Sequence, residues 1–354
     1  MVEKIGVCII GAGSISDLHF LSYQNNSNCF LYGVFDYSTE RAQEKAKQYN
    51  ISHVFESLEE VFLDSNVQAV SICTWNNTHA DIVIRALESG KHVLIEKPLC
   101  MNLEEALLIE EAVKKSNKIL QVGFVRRFGT NATVLKSFVD EGKLGDVYYA
   151  KASYLRRLGN PGGWFADKLR SGGGPLIDIG VHIIDISWYL MGRPKVKSIS
   201  ANTYNQLGNR SHVKNLSFYK AADYDSTKNT VEDLANALIR FENGASLFVD
   251  VSYTLHAQKD EQMVKLYGTK GGAELEPELS IISEENDTII NIKPQIDHVS
   301  FDFKNAFQKE IDSFIESCVT GRESVVPVED GVEMMKILTG IYESANKKCE
   351  VVYD

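Results

Sequence analysis

The stretch Ile5-Gly6-Val7-Cys8-Ile9-Ile10-Gly11-Ala12-Gly13-Ser14-Ile15-Ser16 decides the fold. An apolar run passes without a polar interruption into a glycine-rich turn, and a segment of helical character follows. Such a run marks a strand buried on both faces, the habit of parallel sheets covered by helices. Gly11 permits a tight turn, and Gly13 lets the backbone approach a pyrophosphate seated at the positive end of the next helix. The amides from Gly11 through Ser14 to Ile15 supply that local positive field. Ser16 stands where the third glycine of GxGxxG is usual, and taken alone the pattern also admits a plain strand–helix turn.

Working outward, further apolar runs fall at residues 30–35, 67–73, 92–95 and 119–122. Between them Ala80, Ile84 and Leu87, then Ala106, Ile109 and Val113, recur at helical spacing. Strands alternating with helices predict an α/β fold that opens with a doubly wound parallel Rossmann sheet. Ligands of such sheets bind at the carboxyl ends of the strands. Asp36 ends the second run, about 20 residues beyond the glycine turn, where an acidic residue holds the ribose hydroxyls of a dinucleotide. A carboxylate there repels a 2′-phosphate and favours NAD. Arg41 nearby keeps NADP as the alternative, and Asp36 also reads as a cap of the helix beginning near Thr39. Lys97 follows the run at 92–95, at the edge of a parallel strand, where it points into the cofactor crevice. Pro98 stiffens that turn.

The chain has 354 residues, a prior for two or three domains, and the change of character near Phe124 divides it into 1–124 and 125–354. It is 44% apolar and 24% charged, which excludes disordered, fibrous and coiled-coil classes. A formal charge of −11 argues against nucleic acid or an anionic membrane surface as partner. No apolar run reaches the roughly 18 residues of a membrane span. The amino terminus lacks the apolar core and cleavage site of a signal peptide. The six cysteines are scattered without a CxxC pair. They read as reduced core thiols of a cytoplasmic protein, with no disulfide frame and no metal site expected.

The second half reads as α+β. Residues 146–158 are β-rich, and a loop of breakers, 159–165, follows. Gly172-Gly173-Gly174-Pro175 then starts a helix on which Asp178, His182 and Asp185 fall at i, i+4 and i+7, on one face. An ionisable stripe on so apolar a helix needs an explanation. A buried polar cluster, a divalent metal site and acid–base catalysis all stand at this point. Strands are expected at 196–204, 234–241, 245–253 and 263–267, with an Asn243-Gly244 hairpin, giving a large, mostly antiparallel open sheet. Residues 207–228 lack either period and read as a loop. Phe303, Phe307, Ile311, Phe314 and Cys318 mark an amphipathic helix, and 332–345 a second, both expected to pack against the sheet.

Four motifs carry a resemblance: the turn at 11–16, Thr74-Trp75-Asn76-Asn77-Thr78-His79, Glu96-Lys97-Pro98, and the block from Gly172 to Asp185. On them the sequence resembles the Gfo/Idh/MocA family of NAD(P)-dependent oxidoreductases over nearly its whole length. The last two, about 80 residues apart, are the specific ones. Trp75 departs from the proline many members carry there, and stacking near the nicotinamide or filling the turn are both open. The resemblance implies that Thr74, Trp75, Asn76, His79, Glu96 and Lys97 border the cofactor, and that Lys97, Asp178 and His182 are catalytic, Asp185 being structural. The implied reaction oxidises a secondary hydroxyl of a cyclic polyol, sugar or sugar derivative to a ketone, with inositol dehydrogenase-like activity as the leading case. His182, with an ordinary pKa of about 6.5, is the first choice as proton acceptor, oriented by Asp178. Lys97 steadies the alkoxide, or is itself the base if its pKa falls to about 7–8. Arg127, Tyr154, Arg156, Arg157 and Trp164 fit a sugar-binding cleft. The outer face of the open sheet is expected to build a homodimer or homotetramer. Two other functions share the fold: an NAD-retaining enzyme without net redox, such as a glycosidase, and a non-catalytic NAD sensor.

Overall fold

The computed structural model describes residues 4–353. They form two compact units: residues up to Val125 together with Phe303–Met335, and Arg126–Asp302 together with the residues from Lys336 on.

In the first unit six strands pair in parallel: β1 (Ile5–Ile10), β2 (Cys29–Phe35), β3 (His53–Val54), β4 (Ala69–Ile72), β5 (His92–Glu96) and β6 (Leu120–Gly123). Their order is β3-β2-β1-β4-β5-β6 among the described residues, the doubly wound arrangement the alternating periods predict. The order reverses at β1, so the turn that follows it opens at the switch point. The connections are α1 (Ser16–Gln24), α2 (Thr39–Tyr49), α3 (Leu58–Leu63), α4 (His79–Glu88) and α5 (Leu103–Ser116). Val7, Cys8, Ile9 and Ile10 are wholly buried, as an unbroken apolar strand between two helical layers must be. Ser38, Ser57 and Asn102 accept backbone N–H bonds at the starts of α2, α3 and α5, which sets where those helices begin.

One element lies elsewhere than the sequence reading expects. The amphipathic helix Phe303–Thr320 inserts Ile311, Phe314 and Ile315 into the core of this first unit, beside Val7, Ile9, Phe20 and Tyr23. A parallel sheet needs cover on both faces, and this helix supplies part of it.

The second unit contains α6 (Thr130–Asp140), β7 (Val147–Leu155), α7 (Lys168–Ser171), α8 (Val181–Leu190), β8 (Val196–Tyr204), β9 (Leu234–Phe241), β10 (Ser246–Ser252) and β11 (Glu261–Gly268). After these come β12 (Gly271–Glu276), β13 (Ser280–Glu285), β14 (Thr288–Ile292) and β15 (Val351–Val352). Among the described residues the nine strands run β14-β13-β12-β11-β7-β10-β9-β8-β15, all antiparallel except β7 with β10. Along β9 and most of β10 buried residues alternate with half-buried or exposed ones, so one face packs and the other looks outward. The helix α8 packs on β7, β10 and β11, and its Ile183, Ile184 and Ile186 are wholly buried. The Asn243-Gly244 turn joins β9 to β10 as its sequence requires, with Gly244 at φ +85°. Residues 205–233 carry neither helix nor strand.

Candidate cofactor cradle and active site

Two glycines build the turn after β1, for different reasons. Gly11 has φ +102°, and a Cβ there would stand 2.6 Å from the Cys73 carbonyl oxygen, so the fold itself demands glycine. Gly13 answers to neither demand. Its φ lies outside the left-handed region, and among the described residues a Cβ would meet no atom within 4 Å. Open space above the backbone where a helix begins is what a pyrophosphate needs. Ser16, in the third-glycine position, is fully buried and donates its hydroxyl to the Gly13 carbonyl at 2.6 Å. The departure from the motif therefore ties the turn down rather than blocking it.

Asp36 lies against the same turn. Its Oδ2 accepts the Ala12 N–H at 2.7 Å, and its Oδ1 accepts the Ser38 N–H at 2.7 Å and the half-exposed Arg41 guanidinium at 3.0 Å. A carboxylate fixed in this way fits the ribose hydroxyls of a dinucleotide, and its charge opposes a 2′-phosphate. The turn and the carboxylate together fit NAD.

At the ends of β4 and β5 two buried histidines organise the loops. His19 shares Nδ1 with the Ser71 hydroxyl and Nε2 with Glu96 Oε1, both at 2.8 Å. Glu96 Oε2 also accepts the Lys97 N–H at 3.3 Å. His79 reaches two carbonyl oxygens, that of Pro98 at 2.8 Å and that of Thr74 at 3.2 Å. Burial pushes its pKa below the usual histidine value. His79 thus joins the loop after β4 to the cis Lys97–Pro98 turn. Lys97 is half-buried, Asn76 is buried, and Trp75 is 37% exposed. The Thr78 hydroxyl donates to the hydroxyl of Thr74 at 2.8 Å.

In the second unit the segment after the triple glycine is not a plain α-helix. Leu176–Gly180 is a π-helical turn that passes into α8. A π-turn inserts an extra residue, which rotates the face presented before it relative to the face after it. Asp178 stands in the π-turn, and His182 and Asp185 in the α-helix that follows it. Asp178 and His182 are half-buried, whereas Asp185 is 0% exposed and bound by Arg127, whose Nε lies 3.0 Å from Oδ2 and Nη2 2.5 Å from Oδ1. Asp178 Oδ2 accepts the hydroxyl of the fully buried Tyr253 at 3.0 Å. Burial and the adjacent Asp178 charge push the Tyr253 hydroxyl well above the usual tyrosine pKa, so it stays a donor. Arg156 stands by the same cluster, its guanidinium 5.1 Å over the Tyr154 ring and Nη2 3.3 Å from the Tyr154 hydroxyl.

A buried carboxylate holds the start of this π-turn. Glu232 accepts the Gly174 N–H with both oxygens, at 3.1 and 3.0 Å, the Leu176 N–H at 3.3 Å and the Tyr342 hydroxyl at 2.8 Å. A Cβ at Gly173 would fall 1.8 Å from that hydroxyl, which explains a glycine run here.

Of the residues singled out from sequence, Gly11, Gly13, Ser14, Ile15 and Asp36 surround one turn, and Thr74, Trp75, Asn76, His79, Glu96 and Lys97 sit at the carboxyl ends of two neighbouring strands. Tyr154, Arg156 and Asp178 cluster in the second unit, Trp164 lies on the loop that follows, and Arg127 is turned into its ion pair with Asp185. Sequence reasoning missed His19, Tyr253, Glu232 and Tyr342. No motif flags them, because each meets its partner across a long stretch of chain. Among the described residues no three His, Cys, Asp or Glu side chains gather as a metal site.

Residues 5–124 match the family model described as "Oxidoreductase family, NAD-binding Rossmann fold", and residues 136–352 match "Oxidoreductase family, C-terminal alpha/beta domain". The chain is 31% identical over 346 residues to D-glucoside 3-dehydrogenase of Escherichia coli (strain K12), covering 97% of this chain and 96% of that one. It is 28% identical over 344 residues to myo-inositol 2-dehydrogenase of Thermotoga maritima, covering 95% and 94% of the two chains. The fold is similar to that of levoglucosan dehydrogenase in complex with NADH and levoglucosan, with a TM-score of 0.85 at 24% identity over 99% of both chains.

Proposed function

Because this chain belongs to the Gfo/Idh/MocA family of oxidoreductases and carries its NAD-binding Rossmann unit, we propose that it oxidises a secondary ring hydroxyl of a sugar or cyclic polyol to a ketone, with NAD as acceptor. The observation that carries the dehydrogenase reading is the pairing of an open backbone at Gly13 with a carboxylate fixed at Asp36. The names of the whole-length relatives, a glucoside and an inositol dehydrogenase, support the substrate class. The nicotinamide, when bound, supplies the hydride chemistry. This chain's residues bind, orient and move the proton. His182 takes the hydroxyl proton, since a histidine changes charge near neutral pH. Asp178, fixed by Tyr253, stabilises the charge that His182 gains. Lys97, steadied through Glu96 and His79, hydrogen-bonds the alkoxide as it develops. Tyr154 and Arg156 bind the ring that is oxidised, and Trp164 lines the same substrate cleft beyond them.

The test is a screen of inositols, aldoses, methyl glycosides and sugar acids with NAD and with NADP, read by absorbance of the reduced cofactor. Reduction of NAD by at least one ring polyol or sugar is expected. Absence of turnover across the whole set sinks the reading. A pH–rate series on His182→Ala and Lys97→Met then separates the two proton acceptors, and wild-type turnover in both overturns the acid–base assignment.

We further propose that copies pair through the outward face of the nine-stranded sheet as a homodimer or homotetramer. Half-buried Leu234, Leu238 and Phe248, with Tyr149 stacked on Tyr267 at 5.4 Å, support this surface. At the rim a depression of about 240 Å³ is lined by Tyr148, Lys265, Lys270, Glu274 and Ile289 among others. A monomer by sedimentation at micromolar concentration removes this proposal. All six cysteines are free thiols among the described residues, which supports the reducing cytoplasm as the compartment.

A further inference from the structure

Five aromatic rings gather on two irregular segments of the second unit, at residues 164, 165, 218, 219 and 224. The first segment, residues 159–166, follows directly on the cluster of Tyr154 and Arg156. Gly159 touches that cluster: a Cβ there would lie 2.7 Å from Arg156 Cδ and 3.5 Å from the Tyr253 carbonyl oxygen. The second segment, residues 205–233, is longer than most structureless connections, and connections of that length are usually functional. It is ordered. The Asp233 carboxylate accepts the N–H groups of Gln206 and Leu207, and Arg210 Nη1 donates to the Arg157 carbonyl at 2.9 Å. Ala221 is buried and donates its N–H to the Pro161 carbonyl at 2.9 Å. The first segment is shaped to receive it, since a Cβ at Gly162 would stand 2.4 Å from the Tyr224 ring and one at Gly163 1.9 Å from Asp223.

The joined segments present a wall of rings. Trp164 lies on Phe165 with centroids 4.0 Å apart, and Tyr219 from the other segment meets Phe165 edge-on at 6.5 Å. Behind them Lys220 stands 4.8 Å over Tyr224 and 5.3 Å over Phe218. A loop packed only for its own stability turns its rings inward, yet Tyr219 is 55% exposed and Trp164 and Phe165 are half-exposed. Polar and ionic groups at Tyr154, Arg156 and Asp178 suit hydroxyls, whereas a wall of rings suits the flat apolar face of another ring.

We propose that Trp164, Phe165 and Tyr219 form a subsite for a second ring, so that the substrate is a glycoside whose oxidised ring meets the polar cluster while its aglycone or second sugar stacks on the wall. This rests on the sugar reading above. The test compares kcat/KM for two-ring and one-ring probes: cellobiose and 4-nitrophenyl β-D-glucopyranoside against methyl β-D-glucopyranoside. In Tyr219→Ala the two-ring to one-ring ratio is expected to fall about 5- to 10-fold, and in Tyr219→Phe, which keeps the ring, to stay near wild type. Loss with cellobiose assigns the wall to a sugar, and loss confined to the nitrophenyl probe assigns it to an aryl aglycone. An unchanged ratio in Tyr219→Ala overturns the subsite and leaves the sugar reading standing. Failure of the wild-type protein on every sugar overturns the sugar reading and the subsite with it.

Discussion

Gly11 and Gly13 are two residues apart, yet substitution separates a demand of the fold from a demand of the ligand. Gly11→Ala forces a left-handed backbone and a clash with the Cys73 carbonyl, so a loss of about 1–3 kcal/mol or more is expected in chemical denaturation. Gly13→Ala meets open space and should leave that stability within about 0.5 kcal/mol of wild type. It should weaken NAD binding at least about tenfold by calorimetry, a loss of about 1.4 kcal/mol. Equal stability losses in the two variants would contradict this division. Glu232 gives a second residue-scale prediction. Glu232→Ala leaves the Gly174 and Leu176 N–H groups and the Tyr342 hydroxyl without their acceptor, at a cost of about 1–3 kcal/mol. Because those groups seat the π-turn carrying Asp178, kcat should fall while KM for NAD holds. Glu232→Gln, which keeps one acceptor oxygen, should recover part of both losses. The turn after β1 could be read from spacing because chain neighbours define its geometry. Glu232 could not, since its partners lie 56 to 110 residues away.

Among the elements, β5 carries a pH response that is independent of catalysis. His92 accepts the Ile119 N–H on Nδ1 at 3.1 Å, and burial, aided by Lys118, lowers its pKa from 6.5 to about 4. The folded-state value lies below the unfolded one, so His92 supports the fold fully above about pH 6.5, where the ring is neutral in both states. Between pH 6.5 and 4 the unfolded chain binds the proton more readily, and stability falls as pH falls. Urea midpoints of wild type and His92→Gln across that range should therefore converge toward acid pH, and parallel curves would refute the assignment. The π-turn is the element least legible in the sequence. Pro175 and the glycine run announce a helix start, but nothing in the spacing announces an extra residue in the turn. Hence the π-turn that carries Asp178 is not expected from the sequence. Asp185 makes a buried ion pair, and Asp185→Ala, by stranding the Arg127 charge, should cost about 3–5 kcal/mol.

For the molecule as a whole, the helix Phe303–Thr320 has the largest consequence. Ile311, Phe314 and Ile315 are wholly buried in the first unit, and each such side chain contributes about 1.5–3 kcal/mol by burial. A fragment ending at Val125 therefore lacks part of its own core, and it should unfold at markedly lower urea than the same fragment fused to residues 303–335. Equal midpoints would show the helix to be dispensable. What the chain order alone could establish was local in origin: strands from unbroken apolar runs, helices from the 3.6-residue period, and the tight turn after β1 from its glycines. These follow from forces between residues close in sequence, so they leave a pattern along it. The assignment of Arg127 to Asp185, of Tyr253 to Asp178, of Glu232 to the π-turn and of the late helix to the early sheet came from packing. Those contacts join residues far apart in the chain, and which of them form depends on burial and on satisfying polar groups that meet only once the layers have assembled.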